Sequence, residues 1–202
     1  MKDTMRFFGI IAVIVIIGFS FSSCGGGGGD NYTFDSSLGS GNIGKKGPAG
    51  GIIFYYNAIG FTVTGAGSFT ANYLEAAPAN QGTSLQWASP SYLTTDITGT
   101  LQIIGAGKAN TSLILATDAN APAAKACANY RGGSKKDWFL PSRDELNALW
   151  LSSIIVPSGN FWSSSQAAIT PADAAFYQRF SDGSQSYPIK SDSMYVRAIR
   201  AF

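Results

Sequence analysis

The sequence predicts a loop-rich α+β domain, and three observations carry that expectation. Gly, Ser, Thr and Asn are abundant beside many aromatic residues. That mix suits a β or α+β domain better than a helical bundle. Second, Ser142-Arg143-Asp144-Glu145 spells a capping box, with apolar Leu146, Leu149 and Trp150 following on one helical face. Third, residues 161–202 open with Phe161-Trp162-Ser163-Ser164-Ser165 and close with Tyr195-Val196-Arg197-Ala198-Ile199-Arg200-Ala201-Phe202. Both ends read as buried strands. Between them lies a polar stretch with turn residues at Asp173, Asp182-Gly183, Pro188 and Asp192. Core segments that hold out a polar loop display a surface, and binding residues are often placed on such loops.

From the N-terminus, Lys2 and Arg6 precede an apolar run over residues 7–19, followed by Ser20-Phe21-Ser22-Ser23-Cys24. A basic region, a short apolar region and small residues before a cut site make a secretory signal. The run falls short of the ~20 apolar residues of a membrane span. Phe21-Ser22-Ser23-Cys24 resembles a relaxed bacterial lipobox, which implies that Cys24 becomes the lipid-bearing N-terminus. Gly25–Gly29 form a flexible tether, and residues 30–46 read as a linker or loosely attached arm. Gly25 is not the Asp associated with inner-membrane retention, which favours the outer membrane or cell surface. The expected organisation is a signal peptide over 1–23, the lipidated Cys24 with its tether over 24–43, and one domain over 44–202.

Composition narrows the chemistry. Cleavage before Cys24 leaves 179 of the 202 residues, enough for one domain with a core. Lys2, Asp3 and Arg6 are removed with the signal, so 14 basic and 12 acidic residues become 12 and 11. A net charge of +1 argues against a general grip on nucleic acid. The chain has no His, which excludes Ser-His-Asp and Cys-His catalysis and His-based metal sites. Its two Cys are Cys24 and Cys127. With Cys24 lipidated, Cys127 has no disulfide partner in the chain and reads as a buried structural thiol.

In the body of the domain, Ile52-Ile53-Phe54-Tyr55-Tyr56 follows a Gly/Pro turn cluster and reads as a central strand, apolar on both faces. Residues 61–69, with Gly60, Gly65 and Gly67 nearby, suggest a hairpin. Trp87 and Tyr92 plug the core from a polar loop. Gly105-Ala106-Gly107-Lys108-Ala109 fails as a phosphate loop, because Gln102 stands where Gly is needed and Ala109 where Ser or Thr is needed. Asn110 or Thr111 reads instead as an N-cap. Helical segments then run to Thr117 and over residues 123–130, ended by Arg131-Gly132-Gly133. Asp144 and Glu145 suit the dipole of the helix that starts after Ser142 and read as capping residues, not as a catalytic pair.

Several stretches together resemble one family. They are Gly47-Pro48-Ala49-Gly50-Gly51-Ile52-Ile53-Phe54-Tyr55, Tyr73-Leu74-Glu75-Ala76-Ala77-Pro78, Gly107-Lys108-Ala109-Asn110-Thr111, Asp137-Trp138-Phe139-Leu140-Pro141-Ser142-Arg143-Asp144-Glu145-Leu146, Phe161-Trp162-Ser163-Ser164-Ser165 and Val196-Arg197-Ala198-Ile199-Arg200-Ala201-Phe202. They look like the C-terminal ligand-binding domain of bacterial collagen-like adhesins, over roughly residues 44–202. The resemblance implies a C-type-lectin-like fold, near the branch of the formylglycine-generating enzyme. Two helices would flank a small, mostly antiparallel sheet, with long irregular loops. The first and last strands would pair, here residues 52–56 with 195–202. Arg197 and Arg200 would be buried and in need of carboxylate or carbonyl partners.

The resemblance also implies where a ligand would bind. In relatives diversified by retroelements the variable positions lie in the C-terminal stretch. The matching positions here are Gln166, Phe176, Gln178, Arg179, Ser184, Ser186, Tyr187, Ile189, Ser191, Asp192, Ser193 and Tyr195. The expected function is a non-catalytic surface lipoprotein that binds an external glycan or protein through these residues. The alternative is a structural envelope lipoprotein without a specific ligand. Formylglycine-generating chemistry needs a pair of active-site cysteines, and Cys127 stands alone in the mature domain. No cofactor is expected. Ca²⁺ is a candidate, but Asp173, Asp182 and Asp192 stand roughly ten residues apart, without the dense spacing of a calcium loop.

Overall fold

The computed structural model describes residues 33–154, 158–168 and 172–202. The signal segment, Cys24 and the glycine tether lie outside the described residues. The fold is α+β, as composition and patterning predict, but it holds two sheets where one was expected. The smaller runs in the order β1 (Ile52–Val63), β2 (Phe69–Ala76), β8 (Ile199–Ala201), antiparallel throughout. The larger runs β3 (Gly82–Leu85), β7 (Met194–Val196), β4 (Asn160–Gln166), β5 (Ala175–Arg179), β6 (Gln185–Ser186), antiparallel except for the β4–β7 pair. Between β3 and β4 come α1 (Gly107–Thr117), α2 (Pro122–Ala128) and α3 (Arg143–Leu151).

Two expectations about strands are corrected. The segment 195–202 is not one strand. Arg197 and Ala198 turn the chain, so β7 pairs in one sheet and β8 in the other. The turn is fixed by Arg197, which donates to Asn80 Oδ1 and to the Ala77 carbonyl, both at 2.8 Å. The first and last strands do share a sheet, but β2 lies between them, so β1 is an edge strand and not a central one. Its open edge is partly covered by residues 44–46: Gly44 N–H donates to the Ile53 carbonyl and Ile53 N–H to the Lys45 carbonyl.

The same covering corrects the reading of residues 30–46 as a loose arm. From Thr33 on, the segment is packed. Phe34 sets its ring edge-on to Tyr73 and Phe202, and Asn42 is fully buried, donating to the Asp35 carbonyl at 2.6 Å.

β4 is buried on both faces because successive strand side chains point opposite ways. Phe161 enters a cluster with Phe54, Leu74, Leu146 and Ile199. Trp162 enters another with Trp87, Trp138, Leu140 and Val196. Trp87 is fully buried as expected, whereas Tyr92 only packs on the rim of that cluster. Cys127 is fully buried beside them, and burial pushes its thiol well above the ordinary range.

The helices follow the sequence with two corrections, the first being that α2 ends at Ala128 on an Asn129 cap, short of the glycine stop expected at 131–133. The break at residues 118–121 is held by Asp118, whose carboxylate accepts from Ser89 N–H and Ser89 Oγ at 2.7 and 2.9 Å. α1 starts at Gly107, so Asn110 and Thr111 are inside the helix, not N-caps. Both are drawn into tertiary contacts. Asn110 receives Leu101 N–H and donates to the Leu101 carbonyl, while Thr111 Oγ1 receives Leu140 N–H.

The capping box at α3 forms as predicted, and Glu145 does more than cap. It is fully buried, accepting from Ser142 N–H at 2.7 Å and Gly105 N–H at 2.8 Å. Gly107 explains part of the failed phosphate loop: a Cβ there would sit 2.2 Å from Glu145 Oε2. Burial pushes the Glu145 pKa up to about 7, although backbone donors pull it the other way. A folded pKa above the unfolded value of 4.5 means that the native state holds the extra proton between the two. The stability from this group is therefore complete below pH 4.5 and lost as pH rises through 7, about 3 kcal/mol in all. The unfolding free energy of wild type minus that of Glu145→Gln should be more positive at pH 5 than at pH 8. Urea titrations at the two pH values check this, and an unchanged gap would refute it.

Candidate functional site

β5 and β6 form a short ribbon around the turn at Asp182-Gly183. Gly183 takes φ +76°, and a Cβ there would strike the Trp150 ring at 2.3 Å, so the turn needs glycine. Asp182 caps the turn: its carboxylate accepts from Ser184 N–H and Oγ at 2.9 and 2.7 Å, and these bonds lower its pKa. Arg179 reaches back to Asp182 at 3.2 Å in an exposed ion pair.

The register pairs Tyr177 with Ser186 and Gln178 with Gln185. One step along, Phe176 stands opposite Tyr187, and their rings meet edge-to-face with centroids 5.5 Å apart. The Arg143 guanidinium, from the first turn of α3, lies over Phe176 at 5.4 Å. Gln185 Nε2 donates to Gln178 Oε1 at 2.6 Å and to the Arg143 carbonyl at 3.3 Å. An aromatic pair framed by a guanidinium and an amide gives flat apolar area beside directional donors, a combination suited to sugar rings or to a protein surface. Tyr187 is 48 % exposed, and Ile189, two residues on, is 51 % exposed.

The twelve positions implied by the resemblance divide by burial. Arg179, Ser184, Ser186, Tyr187, Ile189, Asp192 and Ser193 are exposed, and Phe176 and Ser191 are half-buried. Tyr195 is half-buried too, stacked on Phe161 with centroids 5.3 Å apart, so its ring belongs to the core rim. Gln166 and Gln178 depart from expectation. Gln178 is fully buried, donating to the Gly183 carbonyl at 2.7 Å, and it holds the turn from inside. Gln166 is 8 % exposed, with its amide engaged on both sides. Polar residues in a stretch rich in turns look alike in sequence, whether they face solvent or satisfy buried backbone.

Arg143 and Gln185 were not among the expected site residues. The signal for Gln185 was its place in the strand opposite Gln178, readable once Asp182-Gly183 is taken as the hairpin turn. Arg143 had no such signal, because its neighbourhood depends on where α3 docks.

Beside β4 opens a cleft of about 510 Å³, bordered by Asp96, Thr98, Thr100, Gln166 and Ala167 among others. Asp173, Asp182 and Asp192 do not converge: among the described residues no three His, Cys, Asp or Glu side chains are grouped to hold a metal ion.

No family model matches the chain, and no curated protein matches it. The functional reading accordingly rests on the residues and their arrangement.

Proposed function

We propose that the chain is a non-catalytic lipoprotein of the outer membrane or cell surface, anchored through Cys24, that binds an external glycan or protein. The observation that carries this reading is the Phe176–Tyr187 pair with Arg143 and Ile189, displayed on the β5–β6 ribbon. Exposed Ser184, Ser186, Asp192 and Ser193 extend the same stretch, which supports a displayed surface. Cys127 supports a non-catalytic role, since a fully buried thiol held protonated is a poor nucleophile.

The test is binding of the purified chain to a panel of glycans and surface proteins, with and without chelator. The double variant Phe176→Ala, Tyr187→Ala should weaken any ligand bound by the wild type at least ~10-fold, as expected when aromatic anchors are removed. Binding unchanged in that variant would move the site away from the ribbon. Absence of binding across a broad panel would favour a structural envelope role. Sensitivity to chelator would bring in Ca²⁺.

A further inference from the structure

Lys190 is fully buried although it follows exposed Ile189. Its Nζ lies 4.9 Å from the Trp87 ring centroid and has two hydrogen-bond acceptors, the Thr95 carbonyl at 2.7 Å and Gln166 Oε1 at 2.8 Å. Gln166 is equally committed. Its Oε1 also receives Ile97 N–H at 3.0 Å, and its Nε2 donates to Asp96 Oδ1 at 2.6 Å. These partners fix which end of the amide is which, because a backbone N–H only donates and a carboxylate only accepts.

An amine, an amide carbon with a donor on its oxygen, and a carboxylate on its nitrogen are the parts of an acyl transfer. We propose that Lys190 and Gln166 join in an intramolecular isopeptide bond, formed by the folded protein itself with Asp96 as the proton carrier.

The Nζ lone pair attacks Gln166 Cδ, and the new C–N bond places negative charge on Oε1. Ile97 N–H, already on that oxygen, stabilises the charge as an oxyanion donor does. One proton passes from Nζ to the Asp96 carboxylate and on to Nε2. The Cδ–Nε2 bond then breaks and ammonia leaves. The product is a secondary amide that keeps one hydrogen on nitrogen, and Asp96 ends as it began. No oxidant, metal or co-reactant is consumed.

Two further features fit this chemistry. Attack needs a neutral amine, and burial lowers the Lys190 pKa to about 8 despite the opposing charges of Asp96 and Asp173. Departing ammonia also has a route out, because Asp96 and Gln166 both border the open cleft beside β4.

The bond would tie β4 to the segment that follows β6, a separation of 24 residues. Phe176, Tyr187 and Ile189 fall inside that loop.

Protease digestion of the full folded chain, followed by tandem mass spectrometry, tests it. The expected result is a branched peptide that joins Gln166 to Lys190 and is lighter by one ammonia than its two parts. Asp96→Ala should keep the fold, judged by circular dichroism, and yield the two peptides unlinked. Lys190→Met should do the same. Separate peptides of full mass from the wild type, after incubation of the folded chain at pH 8–9, would overturn the proposal. Ammonia loss mapped to other residues would overturn it too. A linked peptide from Asp96→Ala at the wild-type rate would refute the role given to Asp96.

Discussion

Replacing Glu75 with Ala should lower the unfolding free energy by about 3–5 kcal/mol, the range for removing one partner of a buried pair. Glu75 is fully buried in β2 and accepts from Arg200 at 3.0 Å, from Gly51 N–H at 3.0 Å and from Ala49 N–H at 3.2 Å. Its loss leaves two backbone donors and a mostly buried guanidinium short of an acceptor. Burial raises the Glu75 pKa, and the facing guanidinium and amides oppose that rise. Arg200 also holds Asp137 at 2.7 Å, so this one side chain joins β8 to β2 and to the segment before α3. Arg200→Lys should still be destabilising, though less than Arg200→Ala, since an ammonium lacks the fork that reaches two carboxylates. Urea unfolding of Glu75→Ala, Arg200→Ala and the double variant gives the coupling. Strict additivity would show that the pair does not act as a unit.

Replacing Trp87 with Ala should cost about 3–5 kcal/mol, the range for truncating a buried aromatic. Trp87 interlocks with Trp162 across β3 and β4. Trp87 Nε1 donates to the Ser163 carbonyl at 2.8 Å, and Trp162 Nε1 donates to the Leu85 carbonyl at 2.9 Å. Each indole fills the shared cluster and satisfies a carbonyl next to the other. Trp87→Phe keeps most of the apolar volume and removes one bond, so it should cost about 1–3 kcal/mol. Thermal melts of both variants check the order, and equal losses would show that the apolar volume kept by Phe contributes nothing measurable.

Local rules carried the parts of the fold that local chemistry decides. Ser142 and Glu145 sit three apart and cap α3 as the sequence reads. Arg200 found carboxylates because a guanidinium in a mostly buried strand has few other solutions. What escaped was set by distant partners. Asn110 looks like a cap but spends its amide on Leu101 and Ser164. The stretch 195–202 is apolar apart from its two arginines, and nothing local states that Arg197 will turn it between two sheets. At the candidate site, exposed Tyr187 and Ile189 were legible from the turn chemistry around them. Gln166 and Gln178 were not, because an amide's burial depends on the backbone groups that tertiary structure brings to it.

The split between β7 and β8 bears on when the chain can fold. β7 pairs with β3, more than a hundred residues earlier, and β8 pairs with β2 at a similar remove. Both sheets therefore wait for the same short stretch, residues 194–201. A chain emerging from the ribosome N-terminus first holds neither sheet complete until that stretch is available, and contacts so distant in sequence form slowly. Such a polypeptide stays unlocked for most of its synthesis, the condition under which a chain can still be threaded across a membrane.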